Sequence, residues 1–253
     1  PMSIINETIN LLENRVSIRR FSDASVEPHL INTVLHAAFR APTSSNIQAY
    51  SVIVVRDHDT KASLSAVTGN QQHVLNAPVF LAFCADLTRI EYATNKNGHN
   101  MEDNNLEIGL VSSLDAALVG MSAYLAAEST GLRGVMIGAV RNNALETARI
   151  LGLPHRVYCV YGMCLGWPSE SPPQKPRMPF NTMVHGERYG ITLDGDPIEH
   201  SVASYDTELA QHYRGMGKTT TDDSWSHDMD QKFVPQLRDQ LREELQTLGF
   251  DFR

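Results

Sequence analysis

Helical periodicity of apolar residues marks the first part of the chain. Ile5, Ile9 and Leu12 fall on one face, which predicts a short amphipathic helix from residue 4 to residue 13. A second helix is predicted over residues 28–39, because apolar positions recur at helical spacing and the segment opens on a proline, which favours a first turn.

Four short apolar runs predict strands, since they are shorter than a typical helix, and the second and fourth are apolar enough to predict buried strands. They cover residues 51–55, 78–85, 134–138 and 157–165. Further helices are predicted at residues 61–66, 143–151 and 205–213. Gly138 ends the third run, where a residue without a side chain lets a ligand approach the backbone closely.

The longest apolar stretch spans residues 106–128. Large apolar side chains recur there at helical spacing, at Leu110, Leu114, Leu118, Met121 and Leu125. Alanines fill many of the positions between them, so the helix is apolar almost all round, which is typical of a buried helix. We therefore expect it to form the hub of the core or of a dimer.

Two polar stretches stand out against this apolar framework. Residues 88–105 hold five asparagines and no apolar period, which predicts a mobile surface segment and a candidate lid. From Trp225 onward the chain is charged, and four leucines between Leu237 and Leu248 form one stripe, which predicts a terminal helix packing on the core or a partner. With no repeat or dividing linker, residues 1–253 are expected to form one domain with a C-terminal extension from residue 200.

Composition narrows the classes of partner. The 253 residues carry a net charge of −8, which argues against nucleic acid as the main partner, because phosphate backbones need a basic face. No apolar run reaches the roughly 20 residues of a membrane span, and the first residues do not resemble a signal peptide. The three cysteines lie in apolar runs without zinc spacing, and their odd number favours a reducing compartment. We therefore expect a cytoplasmic protein without a metal site.

A candidate phosphate site lies directly after the first helix. Arg15, Ser17 and Arg19 alternate, and alternate side chains of an extended segment point to the same side. Two guanidinium groups and a hydroxyl would supply the charge and the forked donors that a phosphate needs. The other interpretation of these residues is a solvated basic turn. The other polar segments of the chain favour a phosphate site instead, because they supply what a phosphate-bearing cofactor would need.

Two of those segments carry further candidate ligands. Residues 40–50, R-A-P-T-S-S-N-I-Q-A-Y, offer hydroxyl and amide groups that suit the edge of a polar ring or a sugar chain. Residues 168–179 hold five prolines around Lys175 and Arg177. Because proline stiffens the backbone, these two cations form a second candidate clamp.

Taken in order, several motifs resemble the nitroreductase family. They are R-V-S-I-R-R-F, A-P-T-S-S-N-I-Q, T-G-N-Q-Q-H, G-L-R-G-V-M-I-G-A-V-R-N-N, and G-M-C-L-G-W-P followed by K-P-R-M-P. Within the family they resemble the oxygen-insensitive NADPH nitroreductases and the NAD(P)H:flavin oxidoreductases, over most of the chain. The resemblance implies an α+β fold, with a mostly antiparallel sheet flanked by helices, in an intertwined homodimer that binds one FMN per site at the dimer interface.

Individual residues receive roles from this resemblance. The cofactor site it implies comprises Arg15, Ser17, Arg19, Ser44, Ser45, Asn46, Gln48, Gln71, Gly138, Ala139, Lys175 and Arg177. Lys175 and Arg177 correspond to a phosphate pair, and Gln71 to a glutamine near the pyrimidine end of the flavin ring. The implied substrate-binding residues are Arg19, Arg214, Lys218 and Arg238.

Two departures from the family pattern bear on specificity. The reactive edge reads Gly138-Ala139 where relatives carry two glycines, and Met136 stands where relatives carry an aromatic residue, so we expect a reshaped pocket above the ring. The loop that is arginine-rich in NADPH-preferring relatives here contains Asp222 and Asp223. Carboxylates repel a 2′-phosphate, which predicts that NADPH has lost its usual advantage over NADH.

The sequence therefore predicts an FMN-dependent enzyme that transfers hydride from NAD(P)H, through the flavin, to nitroaromatics, quinones or free flavin by a ping-pong mechanism. The flavin carries the chemistry, and no side chain is expected to be an indispensable acid or base. Two alternatives remain: a specialised flavin reductase that supplies a partner enzyme, and a flavin-binding protein that stores or senses FMN without turnover. A thiol enzyme is disfavoured, because no basic residue adjoins the cysteines in sequence.

Overall fold

One antiparallel sheet lies at the centre of the computed structural model, which describes residues 6–102, 106–190 and 198–252. Its four strands are β1 (Tyr50–Val55), β2 (Val79–Asp86), β3 (Arg133–Ile137) and β4 (Val157–Gly166). They are ordered β1-β2-β4-β3, and every neighbouring pair is antiparallel. The four predicted strands and the α+β class are thus confirmed.

Two compact units make up the chain, residues 1–172 with 238–253, and residues 173–237. The first contains α1 (Glu7–Asn14), α2 (Pro28–Ala38), α3 (His58–Val67), α4 (Gln72–Asn76), α5 (Thr88–Lys96), α6 (Leu106–Ser129), α7 (Ala144–Leu151) and α11 (Leu241–Thr247), with 3₁₀ turns at Ser44–Asn46 and Gly138–Asn143. The second contains α8 (Phe180–Met183), α9 (Ile198–Gly215) and α10 (Ser224–Phe233).

Local sequence signals explain where several helices begin. The side chains of Asn6, Asp57 and Asn143 each accept a hydrogen bond from a backbone N–H in the first turn of α1, α3 and α7. Such caps satisfy donors that have no partner within the helix. Pro28 occupies the first turn of α2, as its sequence predicts.

Strand β2 is buried along its whole length, because helices cover both of its faces. Val79, Leu81 and Phe83 pack in one apolar cluster with residues of α2 and α6. The alternate positions, which include Phe80, pack in a second cluster with residues of α3 and α4. This two-residue period is the one that a strand's geometry imposes.

Within one chain, helix α6 is buried on one face only, and burial of its other face in a dimer stays a prediction. The stripe of large residues faces outward, and Leu114 is 61% exposed. Small residues such as Ala116, Ala123 and Ala127 form the buried face instead, because they let the helix lie close to β2. α6 is also long and apolar enough to cross a membrane, and 50% of its apolar window is buried. The core helix of a soluble protein can have the same length and composition.

The polar stretch at residues 88–105 is more ordered than its sequence predicts. Residues Thr88–Lys96 form α5, whose residues are all at least partly exposed. The Asp86 carboxylate accepts hydrogen bonds from the Thr88 N–H at 2.9 Å and hydroxyl at 2.6 Å, which fixes the start of this helix. Residues 103–105 lie outside the described residues, and the lid remains a prediction.

The C-terminal region also differs from the predicted single helix. Helix α10 ends at Phe233, and α11 begins only at Leu241. Pro235 separates them, because proline has no N–H to donate and cannot continue a helix. Leu245 and Leu248 are buried against the core of the first unit, whereas Leu237 is 36% exposed, so the leucines do not share one buried stripe.

Candidate active site

Arg15 and Ser17 are brought together by the extended segment that follows α1. Arg15 Nη2 lies 3.3 Å from Ser17 Oγ and 3.4 Å from the Tyr124 hydroxyl, with its guanidinium 5.1 Å from the centre of the Tyr124 ring. Directly after Ser17, Ile18 is buried and donates its N–H to the Gly134 carbonyl at 2.9 Å. This backbone bond anchors the segment beside β3 and holds the two side chains on the same side.

Arg19 is positioned through its backbone rather than its side chain. The N–H groups of Arg19 and Arg20 both donate to Glu170 Oε1, at 2.6 and 3.0 Å. The exposed Arg19 guanidinium itself has no hydrogen-bond or ion-pair partner among the described residues. Its positive charge lowers the pKa of His73.

His73 is a residue that the sequence interpretation missed, although it ends the T-G-N-Q-Q-H motif chosen for Gln71. Its Nε2 atom is buried and has no hydrogen-bond partner in the described part of the chain. Burial lowers the pKa of His73, and the positive charge of Arg19 lowers it further, against the opposing effect of Glu170. The imidazole is therefore neutral at neutral pH.

A second cation lies in this region. Lys61 is 8% exposed, and its Nζ donates to the Ala77 carbonyl at 2.7 Å. Burial lowers the pKa of Lys61, while Lys61 and Arg19 both act electrostatically on the Cys164 thiol. We call Arg19, His73 and Glu170 the Arg19 cluster, because the charges of Arg19 and Glu170 both act on the pKa of His73.

The loop after α2 has an unusual backbone. Ser45, Asn46 and Gln48 have φ values of 48°, 56° and 55°, a left-handed conformation that costs free energy for residues other than glycine. The carboxylate of Asp115, a 1% exposed residue of α6, accepts hydrogen bonds from the N–H groups of Ser44 at 3.1 Å and Ala49 at 3.0 Å. Asp115 thus closes this loop and holds its polar groups at the surface.

Gln71 and Gly138, two further predicted cofactor residues, also lie in the first unit. Gln71 Nε2 donates to the Thr68 carbonyl at 2.7 Å, which leaves its side-chain oxygen as the acceptor. At Gly138, an added Cβ would find its nearest neighbour, Arg141 Nη2, only at 3.6 Å. The protein itself therefore does not require glycine there, and the space above the backbone is open. Ala139 is the next residue and is partly exposed.

In the second unit, two tyrosines of α9 hold the predicted clamp. Lys175 Nζ lies 3.0 Å from the Tyr213 hydroxyl and 5.0 Å from the centre of its ring. The Tyr205 hydroxyl donates to the Pro176 carbonyl at 3.0 Å, and Arg177 Nη1 donates to the Lys175 carbonyl at 3.4 Å. Tertiary contacts, together with the prolines, therefore fix this exposed segment.

The remaining predicted substrate residues are engaged in different ways. Arg214 forms an ion pair with Asp222 at 2.5 Å, so an acid of the loop neutralises its charge. Lys218 Nζ lies 5.6 Å from the centre of the Tyr213 ring. In the first unit, Arg238 Nε donates to Asn142 Oδ1 at 3.0 Å, and burial together with the charge of Arg141 lowers the pKa of Arg238.

All three thiols are buried. Burial raises the pKa of Cys164 to about 12. A hydrogen bond with Cys159, with burial, raises the pKa of Cys84. Thiolates are the reactive form, so this environment disfavours a thiol nucleophile. Within the described residues, no group of three or more His, Cys, Asp or Glu could hold a metal ion.

Two family models match this chain: "Nitroreductase family" over residues 12–167 and "Nitroreductase family, C-terminal domain" over residues 175–253. The chain therefore belongs to the nitroreductase family, and the resemblance of its motifs is confirmed. Among similar proteins, the oxygen-insensitive NADPH nitroreductase of Salmonella typhimurium is 34% identical over 98% of this chain and 100% of its own length. An FMN reductase [NAD(P)H] of Bacillus subtilis is 35% identical over 97% of this chain and 98% of its own length.

Solved structures agree with this assignment. B. megaterium NfrA2 superimposes with a TM-score of 0.92 and 32% identity, over 98% of this chain and 100% of that one. The NADPH:FMN oxidoreductase of Vibrio harveyi, solved in complex with NAD⁺, gives a TM-score of 0.86 at 30% identity. The match covers 98% of this chain and 100% of that one. The predicted nitroreductase-like fold is thus confirmed.

Proposed function

We propose that this protein is an FMN-dependent oxidoreductase that uses NAD(P)H to reduce small electron-poor acceptors such as nitroaromatics, quinones or free flavin. The names of its relatives, which include an NADPH nitroreductase and two FMN reductases, support this activity. Among the structural features, the Arg19 cluster carries the proposal. It presents the exposed guanidinium of Arg19, which has no partner among the described residues, and an anionic cofactor would supply that partner.

The other residues of the first unit also fit such a cofactor. Arg15 and Ser17 offer adjacent donors for the phosphate or the sugar chain. The strained loop at Ser44–Gln48 presents hydroxyl and amide groups of the kind that bind a ribityl chain or ring edge, and backbone strain is often retained for such a purpose. Open space at Gly138 leaves room for a flat ring against the backbone. In the second unit, Lys175 and Arg177 remain predicted phosphate ligands.

Bound FMN would supply the two-electron chemistry between the donor and the acceptor. The protein itself binds the cofactor, orients it and tunes its electrostatic environment. Cations favour the phosphate dianion, and backbone and side-chain donors fix the position of the ring. No described residue of the Arg19 cluster needs to act as an acid or a base in this scheme.

A visible absorption spectrum tests this function directly. We expect the purified protein to carry flavin bands that bleach on anaerobic addition of NADH or NADPH. Because Asp222 pairs with Arg214, we further expect kcat/KM for NADPH and NADH to agree within about tenfold, which is about 1.4 kcal/mol. Bands that persist with both donors would contradict turnover and favour a storage or sensing protein.

A matched pair of variants separates the donor effect from general charge effects. Asp222→Ala releases Arg214 and should shift the preference towards NADPH. Asp228→Ala removes the same charge from α10 and should leave the preference unchanged. If wild type already favours NADPH strongly, the assignment of this loop is wrong.

We also propose that the protein is a homodimer that joins through α6. Five large apolar residues of this helix are exposed at helical spacing, namely Leu106, Leu110, Leu114, Leu118 and Met121. A continuous exposed apolar stripe marks an interaction surface, and a second copy of the chain would cover it symmetrically.

The mass of the protein in solution tests the dimer. Sedimentation should give twice the 28.1 kDa of one chain. Leu114→Asp should produce monomers, because it places a charge in the stripe. Leu145→Asp, at a 38% exposed leucine of α7, serves as the control and should stay dimeric. A monomeric wild type would refute the proposal.

A further inference from the structure

Tyr213 of α9 contacts two lysines that belong to different predicted sites of the second unit. Lys175 Nζ donates to the Tyr213 hydroxyl at 3.0 Å and lies 5.0 Å from the centre of its ring. Lys218 Nζ lies 5.6 Å from the same ring centre, and the Lys218 N–H donates to the Tyr213 carbonyl at 2.9 Å. One partly exposed residue therefore holds a predicted cofactor ligand and a predicted substrate ligand.

Neither lysine is neutralised by a carboxylate. Among the described residues, no Asp or Glu forms an ion pair with Lys175 or Lys218. The neighbouring Arg214 differs, because it pairs with Asp222. Both lysines are exposed, and an ammonium group has three N–H donors. Each lysine can therefore contact Tyr213 and still donate to an anion.

The contacts with Tyr213 reduce the cost of binding such an anion. A lysine side chain is long and flexible, so ordering it on a ligand costs conformational entropy. The face of an aromatic ring carries partial negative charge and attracts an ammonium group. Side chains that are ordered before a ligand arrives bind it more tightly, because less ordering remains to be done.

We propose that Tyr213 is a positioning residue for both ligands of the reaction. Its hydroxyl holds Lys175 for the cofactor phosphate, and its ring and carbonyl hold Lys218 for a phosphate group of the nicotinamide donor. This inference rests on the proposed function, because it takes FMN and NAD(P)H as the ligands. It involves binding alone, without a covalent or proton-transfer step.

Tyr213→Phe tests the cofactor half, since it removes the hydroxyl and keeps the ring. Fluorescence quenching measures the dissociation constants of FMN and of riboflavin, which is FMN without the phosphate. We expect FMN to bind roughly 2- to 10-fold more weakly, the range of one hydrogen bond. Riboflavin should bind unchanged, which also shows that the variant is folded. In a Lys175→Met background, Tyr213→Phe should have no further effect, because the lysine that it positions is absent.

Tyr213→Leu tests the donor half, since it removes the ring as well. With FMN saturating, we expect the KM of the donor to rise roughly 2- to 5-fold, the range of an exposed cation–π contact, while kcat is unchanged. In a Lys218→Met background, Tyr213→Leu should leave this KM as it is. A rise for NADPH and NADH alike would assign Lys218 to the diphosphate that both donors share, and a rise for NADPH alone would assign it to the 2′-phosphate.

Tyr189→Leu serves as the control. It removes another tyrosine of the second unit, which is 84% exposed and whose ring lies 4.6 Å from that of His185. Because Tyr189 contacts neither lysine among the described residues, its substitution should change neither flavin affinity nor the KM of either donor.

Three results would overturn the inference. An equal loss of FMN and riboflavin affinity in Tyr213→Phe would make Tyr213 a structural residue. A full effect of Tyr213→Phe in the Lys175→Met background would show that the hydroxyl does not act through this lysine. An unchanged KM for both donors in Tyr213→Leu would remove the role of Lys218. Failure of wild type to bind either flavin would instead refute the proposed function, which is a distinct result.

Discussion

Replacing Arg19 with alanine should weaken FMN binding by roughly 10- to 100-fold and lower the flavin content of the purified protein. The exposed guanidinium has no protein partner in the described chain, so it is available to the cofactor phosphate. A hydrogen bond to a charged group contributes about 1.5–3 kcal/mol, which corresponds to that range. Fluorescence quenching gives the dissociation constant, and the absorption spectrum gives the occupancy.

Arg20 provides the matched control. Its side chain is 82% exposed and lies 4.0 Å from Glu170, and exposed ion pairs contribute little. Both alanine variants keep the backbone N–H that Glu170 binds, so they differ only in the guanidinium lost. Arg20→Ala should therefore bind FMN as wild type does. Unchanged occupancy in Arg19→Ala would refute the phosphate assignment.

Replacing Asp115 with alanine should cost about 2–5 kcal/mol of the free energy of unfolding and abolish tight FMN binding. Its carboxylate accepts the N–H groups of Ser44 and Ala49 in a buried position. Orphaned buried donors cost about 1–3 kcal/mol each. The left-handed residues between these two bonds also lose the support that compensates for their strain. Urea unfolding and FMN titration measure the two effects.

Two further variants serve as comparisons for Asp115→Ala. Asp115→Asn keeps one acceptor oxygen in nearly the same shape, so it should lie between alanine and wild type. Asp59→Ala removes a fully exposed carboxylate and should change neither quantity. If Asp115→Ala unfolds like wild type and binds FMN normally, the loop does not depend on this residue.

Local patterns predicted most secondary structure because they depend on neighbours in sequence. Strand β2 follows from a short run of apolar residues. The start of α7 follows from a cap at Asn142 or Asn143, and the structure shows that Asn143 reaches its own first turn. The exceptions have physical causes. Pro235 interrupts the single terminal helix predicted from Trp225 onward, and Asp86 stabilises a helix in a polar stretch that lacks an apolar period.

For the same reason, the sequence predicted some contacts of the candidate site and missed others. The pairing of Arg15 with Ser17 needs only an extended backbone, so their alternation in sequence was sufficient to predict it. Asp115 could not be found in this way, because it lies 71 positions from Ser44 in sequence and within a helix that reads as apolar. Likewise, the clamp at Lys175 depends on Tyr213, 38 positions away.

By itself, the sequence determined the family, the α+β class and the position of every strand, because ordered motifs and apolar periods are properties of the chain alone. Only the tertiary structure decided which face of α6 is buried, which residue fixes the backbone of Arg19 and that the Nε2 of His73 lacks a partner among the described residues. Burial and electrostatic environment arise from segments far apart in sequence. Glu170, for example, fixes the backbone of Arg19 across 151 positions, and such contacts exist only once the chain has folded.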